Sequence, residues 1–157
     1  MNVRVGQGFD VHPWSEDPGR RLVLGGVVVE GERGLAGHSD ADVVAHAVAD
    51  ALLGAAGLGD IGSHFPDSDS RWRGADSLAL LTHVVGLVAA QGWSIGNVDS
   101  TVVLEAPKLA PHKAAMEARL TQTVGAPVSV KAKRAEGLGA LGRGEGVACF
   151  AVAVVLR

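Results

Sequence analysis

Asp10 and His12, two residues apart, and His46, inside the run Asp40-Ala41-Asp42-Val43-Val44-Ala45-His46, constrain this chain more than any other feature. The first pair follows Val3 and Val5, which alternate with polar neighbours and read as a strand. Extended backbone points alternate side chains to one face, so Asp10 and His12 project together. One carboxylate and two imidazoles are a minimal ligand set for a divalent transition metal with a coordination position left open. They form that set only in a fold that brings the end of the first strand to the segment carrying His46. A structural site is closed, whereas an open position serves chemistry or substrate binding. The plainer alternative makes Asp10 and His12 turn residues and the helix line a solvated face.

On a helix, Asp42, His46 and Asp50 fall at i, i+4 and i+8, a polar line on an otherwise Ala/Val/Leu segment. A carboxylate one turn from a ligating imidazole can fix its orientation through the second ring nitrogen, which makes Asp42 or Asp50 the candidate partner of His46. Zinc suits this N/O set best, and non-haem iron uses the same ligand types.

At 157 residues the chain has the length of one domain with a real core. It is 47% hydrophobic and 20% charged, the composition of a globular protein. A net charge of -3 and only three Trp and three Phe give neither the basic stripe nor the stacking aromatics of a nucleic-acid binder. The single Cys149 excludes an intrachain disulfide and lies in the apolar run Val147–Leu156, where a buried strand thiol is expected. That run is about half of what a bilayer requires, and Met1–Val5 lacks a signal-peptide core. A soluble, cytoplasmic protein with no membrane or nucleic-acid partner is the expectation.

Arg21–Leu24, Gly25-Gly26 and Val27–Val29 read as a hairpin closed by a two-residue glycine turn. A helix is expected from just after Ser39 or Asp40 to about Gly57, a second from Asp76 to Gln91, and a third from Pro111 to Thr123. Strands fit Asn97–Leu104, Val128–Ala132 and Val147–Leu156, and residues 60–75 have loop composition. This order predicts an α+β fold, a sheet covered by helices on one side.

Three segments suit an anion. Gly37-His38-Ser39 leads toward the helix that carries His46, where backbone amides and the helix dipole favour phosphate, although an ordinary cap explains it as well. Lys131–Gly139 and Gly142-Arg143-Gly144-Glu145-Gly146 combine cations with flexible backbone, and Glu136 among them can hold Mg²⁺ or Mn²⁺ between phosphates. Read alone, that stretch is a solvated charged loop. Lys108, between Pro107 and Pro111, can approach a phosphate or a base, while the two prolines more simply mark a turn. His64 and His83 carry no spacing that demands a function.

Together these motifs are far more specific. Gly6–His12, Gly37–His46, Gly59–Asp67 and Gly142–Gly146, with Asn97-Val98-Asp99 and Ala106-Pro107-Lys108, closely resemble the 2-C-methyl-D-erythritol 2,4-cyclodiphosphate synthase family along essentially the whole chain. The resemblance implies one synthase domain over residues 1–157. It implies a lyase of the non-mevalonate isoprenoid pathway that converts 4-diphosphocytidyl-2-C-methyl-D-erythritol 2-phosphate to the cyclic diphosphate and CMP. It further implies a homotrimer with the sheets around the three-fold axis and active sites between subunits. Asp10, His12 and His46 match the zinc ligands, and Glu136 matches the residue that helps hold Mg²⁺ or Mn²⁺. His38 and Ser39 match contacts to the substrate phosphate, and Asp60, Ile61, Gly62, Phe65, Pro66, Asp67, Ser68 and Asp69 match the methylerythritol loop. Leu104, Glu105, Ala106, Pro107, Lys108, Leu109 and Ala110, with Lys133, Arg134, Ala135 and Glu136, match the cytidine and diphosphate pocket of the adjacent subunit. Asp10, His12 and Arg143 are counted with the substrate contacts, and His38 and Arg134 with the catalytic groups.

Three positions depart from the family. Lys133 and Arg134 stand where two threonines are usual, one of them assigned transition-state stabilisation. Ala140 replaces a Phe, and Phe150 a Glu found in some members; both concern the central trimer cavity. Two other functions use the same residues: a metal-dependent phosphohydrolase, for which no general base is evident, and a non-catalytic trimeric binder of isoprenoid diphosphates.

Overall fold

The computed structural model describes residues 1–157. In chain order its elements are β1 (Val3–Pro13), β2 (Leu22–Leu24), β3 (Val27–Val29), α1 (Val43–Ala56), α2 (Ile61–His64), α3 (Ser77–Ala90), β4 (Ser94–Val103), α4 (Lys113–Val124), β5 (Val128–Lys133), α5 (Gly139–Gly142) and β6 (Gly146–Leu156). The main sheet has the order β1-β6-β4-β5. Its β1–β6 and β6–β4 pairs are antiparallel and its β4–β5 pair is parallel. Strands β2 and β3 form a separate hairpin. The architecture is α+β with a mixed sheet, and α1 lies against β1 and β6.

The apolar run Val147–Leu156 becomes β6 because it is flanked on both sides by strands. Its inward residues Val147, Cys149, Ala151, Ala153 and Val155 are buried. Across the β1–β6 ladder Gly8 faces Ala151 and Gly6 faces Ala153. This patch of small side chains lets α1 approach the sheet backbone to backbone. A Cβ on Gly8 would stand 1.9 Å from the Ala47 carbonyl oxygen, and one on Gly6 2.0 Å from that of Ala51. Residues Gly6, Gly8, Asp10 and His12 share one face of β1, so the strand that touches α1 at Ala51 and Ala47 meets it next at His46.

Helix α1 is buried nearly all round, between the sheet and α3, which explains its Ala/Val/Leu composition. Gly57 ends it in the left-handed conformation, with its N–H on the Gly54 and Leu53 carbonyls. Its N-terminus lies later than expected: Asp42, not Ser39 or Asp40, is the N-cap, accepting from the Val44 and Ala45 amides. The segment 60–75 is less irregular than its composition suggests. Asp60 caps the single turn α2, and Asp69 caps a 3-10 turn over Ser70–Trp72. Strand β4 begins three residues before its expected start, at Ser94, with a register shift between Ile95 and Asn97. Helix α3 and the β2–β3 hairpin fall where the sequence predicts them, and α4 and β5 do so within two residues. No helix is long and apolar enough to cross a membrane.

Candidate active site

At the end of β1 nearest the N-terminus of α1, Asp10 Oδ2 lies 2.9 Å from His12 Nε2 and 3.0 Å from His46 Nδ1. The two imidazole nitrogens are 3.3 Å apart. Four tetrahedral donors at zinc bond lengths stand about 3.3 Å from one another, so the three atoms are spaced as ligands of such an ion. The outward nitrogens agree with this. His12 Nδ1 donates to the Ala36 carbonyl at 2.8 Å, and His46 Nε2 lies 2.8 Å from Ser77 Oγ and 3.2 Å from Ser39 Oγ. Each ring is therefore held by its far nitrogen while its near nitrogen faces Asp10. Burial by itself would raise the Asp10 carboxyl, but hydrogen bonds from His12 and His46 and their charges outweigh it and bring it down to about 2. Burial works against the His12 imidazolium, and the Asp10 hydrogen bond and charge overcome that and raise its pKa.

The expected partners of His46 are corrected. Asp42 is fully buried and turns away from the imidazole: besides capping α1 it accepts from the Gly25 and Gly26 amides at 2.8 and 2.7 Å. Burial pushes its carboxyl up to about 6 against those hydrogen bonds. Asp50 accepts from the Ile61 amide and anchors the start of α2. The hydroxyls of Ser77 and Ser39 meet His46 instead. Ser77 was not legible as a partner of that ring, since only the docking of α3 against α1 brings it there.

The triad forms one wall of a cavity of about 350 Å³. Gly37, His38 and Ser39 continue the polar wall, and Ile61, Gly62, Phe65 and Asp67 close it from the loop, with Trp72 and Leu80 behind. Phe65 meets Trp72 edge-on, with ring centroids 4.9 Å apart. The lining thus combines the carboxylate and imidazoles of the triad with the apolar side chains of Ile61, Phe65, Trp72 and Leu80, which suits a small carbon skeleton bearing an anion. A larger open cleft of about 780 Å³ shares Ser39 with it but contains none of the three ligands. Within this loop Asp60 is occupied by Ser63 and Asp69 by Arg71, while His38 Nε2 lies 3.0 Å from the Asp69 carbonyl. Pro66 and Ser68 are exposed on it. Of these wall residues, Trp72 and Leu80 had no sequence signal.

The second group of expected site residues is not brought to this pocket. Leu109, Ala110 and Lys133 line a separate depression of about 360 Å³ with Met116 and Val130. Leu104 and Leu109 bury their side chains in the core. Glu105 accepts from the Arg134 guanidinium at 2.9 Å and from the Ala135 amide at 2.8 Å, so Arg134 is folded onto the loop Glu105–Ala110. Those bonds hold the Glu105 carboxyl below its usual range. Glu136, exposed and at φ +54°, lies outside the metal-ligand cluster, and Arg143 pairs with Glu145 at 2.7 Å.

Fold and site together define an α+β protein with a carboxylate and two imidazoles spaced so that they could hold a metal ion, at the edge of a pocket. The chain belongs to the YgbB family, which it matches over residues 3–156. It is 57% identical, over its whole length and 98% of the relative's, to a 2-C-methyl-D-erythritol 2,4-cyclodiphosphate synthase of Burkholderia thailandensis. Among solved structures it is similar to bifunctional IspDF from Campylobacter jejuni, with TM-score 0.93 and 40% identity over 98% of this chain, which spans 42% of that longer protein. The CDP complex of IspF from Plasmodium falciparum is also similar, with TM-score 0.86 and 31% identity over 99% of this chain and 97% of that one.

Proposed function

We propose that this protein is an enzyme of the cyclodiphosphate synthase type, converting 4-diphosphocytidyl-2-C-methyl-D-erythritol 2-phosphate to 2-C-methyl-D-erythritol 2,4-cyclodiphosphate with release of CMP. The observation that carries this reading is the convergence of Asp10, His12 and His46 on the wall of the pocket that Ile61–Asp67 encloses, in a chain 57% identical end to end to such a synthase. In this reaction a 2-phosphate oxygen attacks the β-phosphorus, the bond from that phosphorus to the bridging oxygen breaks, and CMP departs with the electron pair. It is a phosphorus–oxygen lyase reaction without a covalent intermediate on the protein.

The chain's own residues then have positioning work to do. Ile61, Phe65, Trp72 and Leu80 receive the methylerythritol carbons, and His38 and Ser39 on the polar wall contact the phosphate. Holding two anionic groups of one molecule in line supplies much of the rate, and that intramolecular geometry disfavours water as a competitor. Asp10, His12 and His46 would hold Zn²⁺ or a similar ion, and Glu136 would help hold Mg²⁺ or Mn²⁺; such ions act as Lewis acids on phosphoryl oxygens.

Residues 104–110 and 133–136 stand apart from the triad pocket, which supports a site completed by a neighbouring subunit that binds the cytidine diphosphate moiety. Exposed apolar residues support the same assembly. Val3, Val5, Phe9 and Val11 of β1 and Phe150 and Val152 of β6 lie on the sheet face opposite α1, with exposures from 44% at Val152 to 65% at Val5. An uncovered apolar sheet face of this kind suits a homotrimer. In this reading residues 1–157 act as a single domain in the cytoplasm.

The test is product analysis with the diphosphocytidyl substrate. Wild-type protein is expected to release CMP and the cyclic diphosphate in equal amounts, and His46→Ala to lose turnover by about 100-fold, the upper end of what loss of a group supporting a metal site costs, while keeping its circular dichroism spectrum. Linear phosphate products would transfer the protein to the phosphohydrolases.

A further inference from the structure

The imidazole of His46 is held by a relay that no sequence motif announced. Its Nε2 lies 2.8 Å from Ser77 Oγ. The Ser77 hydroxyl in turn donates to Asp40 Oδ1 through a short hydrogen bond, and the Ser77 amide donates to Asp40 Oδ2 at 3.1 Å. Asp40 is itself fixed: its carboxylate accepts the Asp42 amide at 3.1 Å and its own amide donates to the Ala75 carbonyl at 3.0 Å. Ser77, at the first position of α3, is 1% exposed, so water does not compete for its hydroxyl.

The direction of the relay follows from its end. A carboxylate can only accept, so the single hydroxyl proton of Ser77 goes to Asp40. The hydroxyl oxygen is then an acceptor toward His46, and the proton of the neutral ring resides on Nε2. Its other nitrogen, Nδ1, is left with a lone pair aimed between Asp10 and His12, where a metal ligand is required. Ser39 Oγ, at 3.2 Å from the same Nε2, is the longer and secondary contact.

We propose that Ser77 and Asp40 are positioning residues for the metal centre: the Asp40–Ser77–His46 relay locks His46 in the tautomer that ligates and so raises the affinity for a divalent transition-metal ion. This rests on the reading that Asp10, His12 and His46 hold such an ion. It also gives α3, whose first residue bears the hydroxyl, a direct hold on the metal ligand.

The experiment is a competition titration of the full-length, metal-stripped protein with Zn²⁺ against a chromophoric chelator, with the visible spectrum of the Co²⁺-substituted protein as second readout. Ser77→Ala is expected to weaken Zn²⁺ binding about 10- to 100-fold, and Asp40→Asn about 10-fold, each with unchanged stoichiometry. The double variant should be no weaker than Ser77→Ala, because the two groups act in series. Ser77→Thr, which restores the hydroxyl, should recover binding to within about threefold. Asp40→Asn leaves Ser77 in place, so it carries the test alone if Ser77→Ala does not fold. Wild-type Zn²⁺ affinity and Co²⁺ spectrum in folded Ser77→Ala or Asp40→Asn would overturn the relay while leaving the metal centre intact. Failure of the wild type to bind Zn²⁺, or undiminished binding by His46→Ala, would overturn the metal-centre reading and the relay with it.

Discussion

At the scale of single residues, Asp42 shows how one side chain joins parts that are distant in sequence. Its carboxylate accepts from four backbone amides, those of Gly25 and Gly26 in the hairpin turn and those of Val44 and Ala45 in the first turn of α1. Asp42→Ala strands all four donors and is expected to cost roughly 2–4 kcal/mol in urea denaturation, a lost cap plus unsatisfied buried amides. The same group makes a pH prediction. Its folded pKa is raised from 3.8 to about 6, so between those values the folded state binds more protons than the unfolded. Its contribution is therefore most favourable below pH 3.8 and is lost as pH rises through 6. Melting curves of wild type and Asp42→Asn at pH 4 and pH 7 should differ in the wild type's favour more at the lower pH; a constant difference would refute the burial effect. Helical spacing paired Asp42 with His46, and this failed for a definite reason. An N-cap residue has non-helical backbone, so the i, i+4 geometry does not apply to its side chain.

Among the elements, the contact of β1 with α1 decides whether a site exists. Gly6 and Gly8 on the strand face Ala47, Ala51 and Ala55 on the helix, backbone against backbone. Gly8→Ala has to push apart the elements carrying Asp10, His12 and His46, because the added Cβ meets a carbonyl oxygen and not a flexible side chain. We expect a loss of about 1–3 kcal/mol or more, accompanied by weaker Zn²⁺ binding, whereas Gly86→Ala in α3, where a Cβ meets nothing within 4 Å, should leave both unchanged or improve stability. Thermal melts and chelator titration of the two variants make the comparison. The paired pattern, glycines alternating on a strand and alanines every fourth residue on a helix, was present in the sequence. It became interpretable only once the two segments were known to touch.

For the whole molecule, the question is what covers the outer face of the sheet. Hydrophobicity falls across that face, from Val5, Phe9, Phe150 and Val152 on β1 and β6 to Asp99, Ser129 and Lys131 on β4 and β5, where Asp99 pairs with Lys131. A trimer closed on the apolar half would sediment at about three times the 16.0 kDa chain mass. Val5→Asp combined with Val152→Asp puts charge in the middle of that half and should yield monomer, and the proposed intersubunit cytidine pocket then predicts that CMP release is lost with it. A fully active monomeric variant would show that one chain carries a complete site.

The order of the elements, the glycine turn of the hairpin and the ends of α3 were determined by sequence alone, because each rests on local backbone preference. Asp10, His12 and His46 were legible as candidate ligands from the atoms they can donate, but only the docking of β1 against α1 brings them together. Which group orients His46 and what Asp42 and Asp50 hold were decided only by tertiary structure. Those outcomes depend on long-range docking, of β1 against α1 and of α1 against α3, where the close approach of two backbones selects the neighbours a side chain meets.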